Sequence, residues 1–245
     1  MKTALITGAN KSIGFETARQ LLQHGYYVYL GSRDLQKGQQ AVDHLKSEGF
    51  SQVEPLKIDV ADGASIAAAR QALGQKTDVL DVLINNAGIL GTMAQPPLSA
   101  DLSMIKEVFE TNVFGVIAVT QAFIDLLRQS PAPRIVNVTS GLGSLTLHND
   151  PTWKYYAVKG AAYQPSKAAL NAYTIMLAYE LRDTAFKVNA VDPGYTATDF
   201  NHHSGPGSVA DAAARLVKAA MLGPDGPTSQ FFSDDNAPET GISPW

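Results

Sequence analysis

Residues 154–167 read KYYAVKGAAYQPSK and contain two Tyr-x-x-x-Lys pairs, Tyr155 with Lys159 and Tyr163 with Lys167. A phenol beside an ammonium group is a means of protonating a carbonyl oxygen. An ordinary tyrosine titrates near ~10, and a close cation favours the phenolate and brings that value towards working pH. Such a pair must share a helix face, on which residues four apart are neighbours. Beyond Lys167 the chain continues AALNAYTIMLAYEL, a helical pattern with Ala168, Leu170, Ala172 and Met176 available for packing. Pro165 is acceptable in a first helical turn, where no intrahelical donor is lost. Beyond Lys159 comes Gly160, in a stretch with no sustained helical period. The residues therefore favour Tyr163 as proton donor with Lys167 as its partner, and leave Tyr155 and Lys159 in a loop. Charge developing on the oxygen also needs a donor. Ser140, in RIVNVTSGLG, is delivered by a strand at 134–138 to the carboxyl end of a sheet; Ser144 is the alternative.

The elements that must position these groups are short apolar runs alternating with amphipathic stretches. Strands are expected at TALIT (3–7), YVYL (27–30), VEPLKI (53–58), VLDVLIN (79–85), RIVNV (134–138), KVNAV (187–191) and SQFF (229–232). Between them, Ala18, Leu21 and Leu22 fall on one helical face, as do Ala41, Val42 and Leu45, and residues 64–73 are rich in alanine. Asp101 to Gln129 reads as one long helix and Lys167 to Arg182 as another. Strands separated by helices pair in parallel through right-handed crossovers. The expectation is a single Rossmann-type, doubly wound α/β domain over residues 1–245, with about seven strands. A chain of 245 residues that is 45% hydrophobic can bury one sizeable core. Two segments look irregular, 141–162 and a loop over about 195–208, and loops of that length are more often functional than accidental.

The stretch TALITGANKSIGFETARQLL is strand, turn and helix. Gly8 and Gly14 permit a tight turn and the approach of a pyrophosphate to the helix N-terminus, where free N–H groups favour negative charge. The spacing Thr-Gly-x-x-x-Gly-x-Gly, followed by INNAG at 84–88 and YQPSKAALNAYT at 163–174, resembles the short-chain dehydrogenase/reductases. The ending GPTSQFF…PW looks like their carbonyl-reductase-like branch. Ser12 departs from the pattern, standing where the middle glycine is usual. It fits if its φ is negative, and costs stability or affinity if the position needs a positive φ.

The resemblance implies that Tyr163, Lys167, Ser140 and Asn112 form the catalytic set, with Ser140 matching the second residue of a Ser-Ser pair. Ser140 lies farther from Tyr163 than is commonest in the family, which implies an insertion at about 141–162. Asn112, in FETNVFG, is out of place in a helix interior; the matching asparagine kinks its helix and binds a water. The resemblance also implies a nicotinamide cofactor held by Gly8, Asn10, Lys11, Ser12, Ile13 and Gly14 in the turn, and by Asp59 and Val60 beside the adenine. It adds Asn86, Ala87 and Gly88, then Tyr163 and Lys167 at the ribose. After the sixth strand come Pro193, Gly194, Thr196 and Thr198. Asp192 stands where a small residue is usual. LGSRD places Ser32 where a carboxylate would select an adenine ribose, and Arg33 beside it suits a 2′-phosphate. With Lys11, that points to NADPH/NADP+.

These parts imply hydride transfer to a carbonyl carbon with a proton from Tyr163: reduction of a ketone or aldehyde to an alcohol. Trp153, Leu142, Tyr195 and Phe200, together with Leu90 to Met93, are candidate apolar walls. The competing readings are a 3-oxoacyl or sugar-type reductase with the same site, and a dinucleotide-sensing module without turnover. The net charge of −4, with 17% charged residues, gives no basic patch for nucleic acid. Zero cysteines exclude disulfides and thiolate metal sites, and no metal is expected. No run approaches the roughly 20 apolar residues that span a membrane, and the start is too short for a signal sequence. A cytoplasmic location is the default. The insertion before Tyr163 is expected to cover the helix surface through which family members pair, which favours a monomer over a homo-oligomer.

Overall fold

The computed structural model describes all residues, 1–245. Its sheet contains β1 (Thr3–Ile6), β2 (Tyr27–Ser32), β3 (Val53–Lys57), β4 (Val82–Asn85), β5 (Arg134–Val138), β6 (Lys187–Val191) and β7 (Phe231–Phe232). All neighbours are parallel, in the order β3-β2-β1-β4-β5-β6-β7. The doubly wound reading holds. β5 and β6 have the expected bounds. β7 is shorter than 229–232, because Ser229 turns the chain at φ 57° and gives its N–H to Val188 O before the strand begins.

Alternation along the strands makes two cores. Ala4, Ile6, Val28, Leu30 and Ile84 face α1 (Ser12–Gln23), α2 (Leu35–Ser47) and α8 (Val209–Ala220). Leu5, Tyr29, Leu83, Ile135 and Val188 face α3 (Gly63–Gly74), α5 (Gly115–Leu127) and α7 (Tyr163–Glu180). The order reverses between β1 and β4, and the carboxyl ends of these strands form the crevice in which ligands of such sheets bind.

Two helices differ from expectation. The stretch from Asp101 to Gln129 is α4 (Leu102–Phe109) and α5, joined by a π-helical turn at Glu110–Phe114. Single π turns inside helices are frequent at functional sites. α7 starts at Tyr163 rather than Lys167, so both members of the second pair lie on it. Its inward face is Tyr163, Ser166, Lys167, Leu170, Asn171, Thr174 and Ala178, whereas Ala172 and Met176 are exposed. The packing face is thus largely polar, which hid its orientation from hydrophobic periodicity.

Segment 141–162 holds a 3₁₀ turn at Gly141–Gly143 and a short helix, α6 (Leu145–His148). It packs on the C-terminal residues: Trp153 Nε1 donates to Asn236 Oδ1 at 3.2 Å, and Thr146 N–H to Trp245 O at 3.0 Å. Met176 and Tyr179 on the outer face of α7 stay exposed. No helix is long and apolar enough to cross a membrane.

Candidate active site

Tyr163 begins α7 and Lys167 follows one turn later; both are buried, at 9% and 5% exposure. Lys167 Nζ lies 5.7 Å from the centre of the Tyr163 ring and donates to Val138 O at 2.8 Å. That bond ties α7 to the end of β5. Two residues beyond Val138, the Ser140 side chain lies near the Tyr163 phenol and favours its ionised form, while its Oγ accepts from Leu142 N–H at 3.2 Å. The structure thus brings Tyr163, Lys167 and Ser140 together. Ser144, the alternative, is fully buried and caps α6 through Leu147 N–H.

Asn112 is fully buried in the π turn. Its Oδ1 accepts from Ile89 N–H at 2.8 Å, and its Nδ2 donates to Ile89 O at 2.9 Å and Ser166 Oγ at 3.1 Å. It joins the segment after β4 to α7. A Cβ placed on Gly88 would fall 3.2 Å from Asn112 Oδ1 and 3.6 Å from Lys167 Nζ, so a side chain there would fill the space beside the ammonium group.

One electrostatic expectation is corrected. Tyr163 is not drawn towards working pH: burial pushes its phenol up, Ser140 opposes this, and the charge of Asp192 adds to it. Lys167 is itself pulled down to about 8 by burial, with Asp192 opposing. Desolvation disfavours the charged form of both groups.

Asp192 points inwards. It is 4% exposed; Oδ1 accepts from Gly194 N–H at 2.9 Å and Oδ2 from the Ser233 hydroxyl at 2.6 Å. Burial raises its carboxyl, while the Ser233 hydroxyl and the N–H groups of Gly194 and Gly141 oppose that. One carboxylate therefore links the Ser140–Gly141 turn, the Pro193–Gly194 turn and the end of β7.

The other tyrosine pair is dispersed. Tyr155 OH donates to Asp235 Oδ2 at 2.9 Å, and Lys159 Nζ donates to His148 O at 2.7 Å and lies 3.0 Å from His148 Nδ1. Burial and Asp235 push Tyr155 well up.

The crevice at the ends of β1 and β4 fits a dinucleotide. Asn86 Nδ2 donates to Thr7 O and Gly8 O, and Thr7 Oγ1 accepts from the N–H groups of Asn86 and Ala87, fastening INNAG to the glycine turn. A Cβ on Gly14 would meet Asn86 Nδ2 at 2.5 Å and Gly8 O at 2.7 Å. Only glycine allows α1 to start this close to the strand ends. Asp34, Asp62, Asp101 and Ser208 cap α2, α3, α4 and α8 with their side chains, but α1 has no side-chain cap. Its N–H groups, with the positive end of the dipole, can hold a phosphate. Ser12 has φ 52°, a left-handed conformation that costs an L-residue of this kind roughly 1–2 kcal/mol. The condition under which serine fits freely is not met.

Asn10 and Lys11 line a cavity with Phe15, Lys37, Gln40 and His44. Arg33 lines a neighbouring one with Lys57, Asp59 and Ser65. Of these two cavities, Lys11 lines one and Arg33 the other. Lys37, which sequence reasoning missed, is the cation beside Lys11; its signal was a place in the first turn of α2, soon after Arg33. Lys11 is also paired with Asp199, at 2.9 Å. Val60 is buried and Ile13 packs partly into the core. Beyond Gly194, Thr196 Oγ1 is 3.3 Å from Pro193 O and 3.2 Å from Gly194 O, and Thr198 begins a 3₁₀ turn closed by Asn201. Phe200 reaches the site, its ring 5.6 Å from that of Tyr163, and Tyr195 is 47% exposed; Trp153 is buried and serves packing.

The family model described as short chain dehydrogenase matches residues 2–208. Among curated relatives, a (−)-isopiperitenone reductase of Mentha piperita is 36% identical over 96% of each chain. A (+)-neomenthol dehydrogenase of Capsicum annuum is 34% identical over 94% of each. The structure of salutaridine reductase from Papaver somniferum superposes with a TM-score of 0.83 at 31% identity, covering 96% of this chain and 100% of that one. An NADPH-bound carbonyl reductase from chicken fatty liver has the same TM-score at 26% identity, covering 100% and 99%. With the parallel sheet, the glycine turn bolted to INNAG and the helix-borne tyrosine and lysine, these matches make the chain a member of the short-chain dehydrogenase/reductase family of oxidoreductases.

Proposed function

We propose that the protein reduces ketones or aldehydes to alcohols with NADPH. The observation that carries this reading is the convergence of the Tyr163 phenol and the Ser140 hydroxyl beside Lys167 at the crevice. NADPH, when bound, supplies the hydride for the carbonyl carbon. Ser140 donates its hydroxyl hydrogen to the carbonyl oxygen and stabilises the charge that develops there. Tyr163 delivers a proton to the same oxygen; such general acid catalysis contributes typically ~10²–10⁴-fold. The raised phenol suits this task, since the proton stays on Tyr163 until a more basic alkoxide takes it. Lys167, when charged, stabilises the phenolate left behind.

The preference for NADPH rests on Ser32 at the end of β2, where no carboxylate repels a 2′-phosphate, and on the cations Arg33, Lys11 and Lys37 around the adenosine end. The NADPH-bound carbonyl reductase structure supports it. The exposed rings of Phe200 and Tyr195 favour an uncharged substrate. The test is NADPH absorbance with a panel of cyclic ketones, aldehydes and acyl thioesters. Turnover of uncharged ketones or aldehydes, with strong preference for NADPH over NADH that Arg33→Asp reverses, is expected. Equal use of both cofactors would overturn the NADPH assignment, and binding without oxidation on any carbonyl would make the protein a dinucleotide-sensing module.

A further inference from the structure

The N-terminus of α7 is buried and uncapped by its own residues: Ala162 is fully buried, Tyr163 is 9% exposed, and Ala162 offers no side-chain acceptor. Free first-turn N–H groups in such a place are costly unless something accepts from them. Pro165 removes one of these donors. Gln95 answers two more from a distant part of the chain: its Oε1 accepts from Ala162 N–H at 3.2 Å and Tyr163 N–H at 3.0 Å. The backbone carbonyl of Gln95 accepts from Ala161 N–H at 2.9 Å. Its amide nitrogen faces the other way and donates to Leu90 O and Thr92 O, both at 2.7 Å. Gln95 is 6% exposed, and the fit is close, for a Cβ on Gly160 would lie 3.0 Å from its Oε1. Every amide hydrogen-bonding direction of one buried side chain is thus spent on two segments, the start of the tyrosine helix and the loop after INNAG.

We propose that Gln95 is a positioning residue for carbonyl reduction, capping α7 to set the place of Tyr163 while its amide nitrogen holds the 90–92 loop against that helix. The role in turnover rests on the reductase reading given above; the cap itself does not. The two halves of the amide separate the two tasks. Gln95→Glu keeps an acceptor for the Ala162 and Tyr163 N–H groups, where a carboxylate also suits the helix dipole, but loses the donors to Leu90 and Thr92. Gln95→Met keeps the length and loses both.

The experiment uses the full chain and reads hydrogen exchange by mass spectrometry together with kcat and KM for the best ketone of the panel. Gln95→Met is expected to speed exchange in the peptide holding Ala162 and Tyr163 and to lower kcat, by up to about 10²-fold, since misplacing a reacting group by about 1 Å costs that much. NADPH affinity, read by cofactor fluorescence, is expected to hold. Gln95→Glu is expected to keep Ala162 and Tyr163 protected and kcat near wild type, while residues 90–94 exchange faster and KM rises severalfold. Identical behaviour of the two variants, or a Met variant altered in thermal midpoint alone, would overturn the proposal. If the Met variant does not fold, Gln95→Glu decides: a fall in kcat with KM unchanged contradicts the proposal. If the wild type turns over no carbonyl, the reductase reading fails, and the exchange comparison still tests the cap.

Discussion

The two Tyr-x-x-x-Lys pairs have the same residues at the same spacing, eight positions apart in one short stretch. Tyr163 and Lys167 lie on a helix that faces the crevice, buried and flanked by Ser140. Tyr155 lies in a turn and Lys159 in irregular chain after it, and each has found its own partner, Asp235 for the phenol and His148 for the ammonium group. Sequence spacing becomes chemical spacing only where a helix converts four residues into one face. The lysines also differ in solvation. Lys167 is stripped of water and pulled down to about 8, while Lys159 is exposed. Burial gives one pair its chemistry and makes it costly to keep.

The largest expected contrast is between Lys167→Met and Lys159→Met. The first should lower carbonyl turnover by orders of magnitude and the second should leave it within about twofold of wild type, a surface change having little energetic reach. Stability should move the other way. The folded value of Lys167, about 8, lies below its ordinary 10.5, so burying the charge costs about 3 kcal/mol below pH 8. Between those values the unfolded chain binds more protons, and that cost fades as pH rises. Lys167→Met is therefore expected to raise stability in denaturant titrations by up to about 3 kcal/mol at neutral pH, with the gain shrinking towards pH 10.5. A gain that does not vary with pH would show that repacking, and not relief of the charge, produced it.

A buried carboxylate, Asp192, also acts on the Tyr163–Lys167 pair. Asp192 holds up the value of Lys167, so Asp192→Asn should let it fall further. The alkaline limb of the kcat/KM profile, which reports the free enzyme, is expected to move to lower pH. An unmoved limb would remove Asp192 from the electrostatics and leave it the hydrogen bonds to Gly194 and Ser233. The smallest effect is expected at the other side of the crevice. Ser12→Gly relieves the positive φ at some loss of unfolded-state constraint, for a net gain of up to about 1 kcal/mol, and tighter NADPH binding. Lower stability in the glycine variant would mean that the serine hydroxyl repays its strain.

The parts of the site that could be read in the sequence are those built from local order. β5 and β6, the glycine turn, INNAG and the tyrosine helix each carry their signal within a few residues. What stayed hidden is non-local. The π turn at Glu110–Phe114 has no periodicity of its own, and only the fold shows that Asn112 turns inward to Ile89 and Ser166. Ser12 declares its residue type but not its φ. Asp192 was visible as an odd charge, yet two of its partners, Gly141 and Ser233, come to it from far along the chain. Gln95 gave no signal at all, because a glutamine in a loop shows its purpose only when a distant helix end arrives beside it.

The most direct test is NADPH oxidation by Tyr163→Phe and Tyr155→Phe side by side, with cofactor binding measured on both. The expected result is loss of turnover in the first by about 10²–10⁴-fold or more, near wild-type turnover in the second, and NADPH affinity intact in each. Turnover that survives Tyr163→Phe, or that is lost with Tyr155→Phe instead, would contradict the assignment of proton delivery to the buried helical pair.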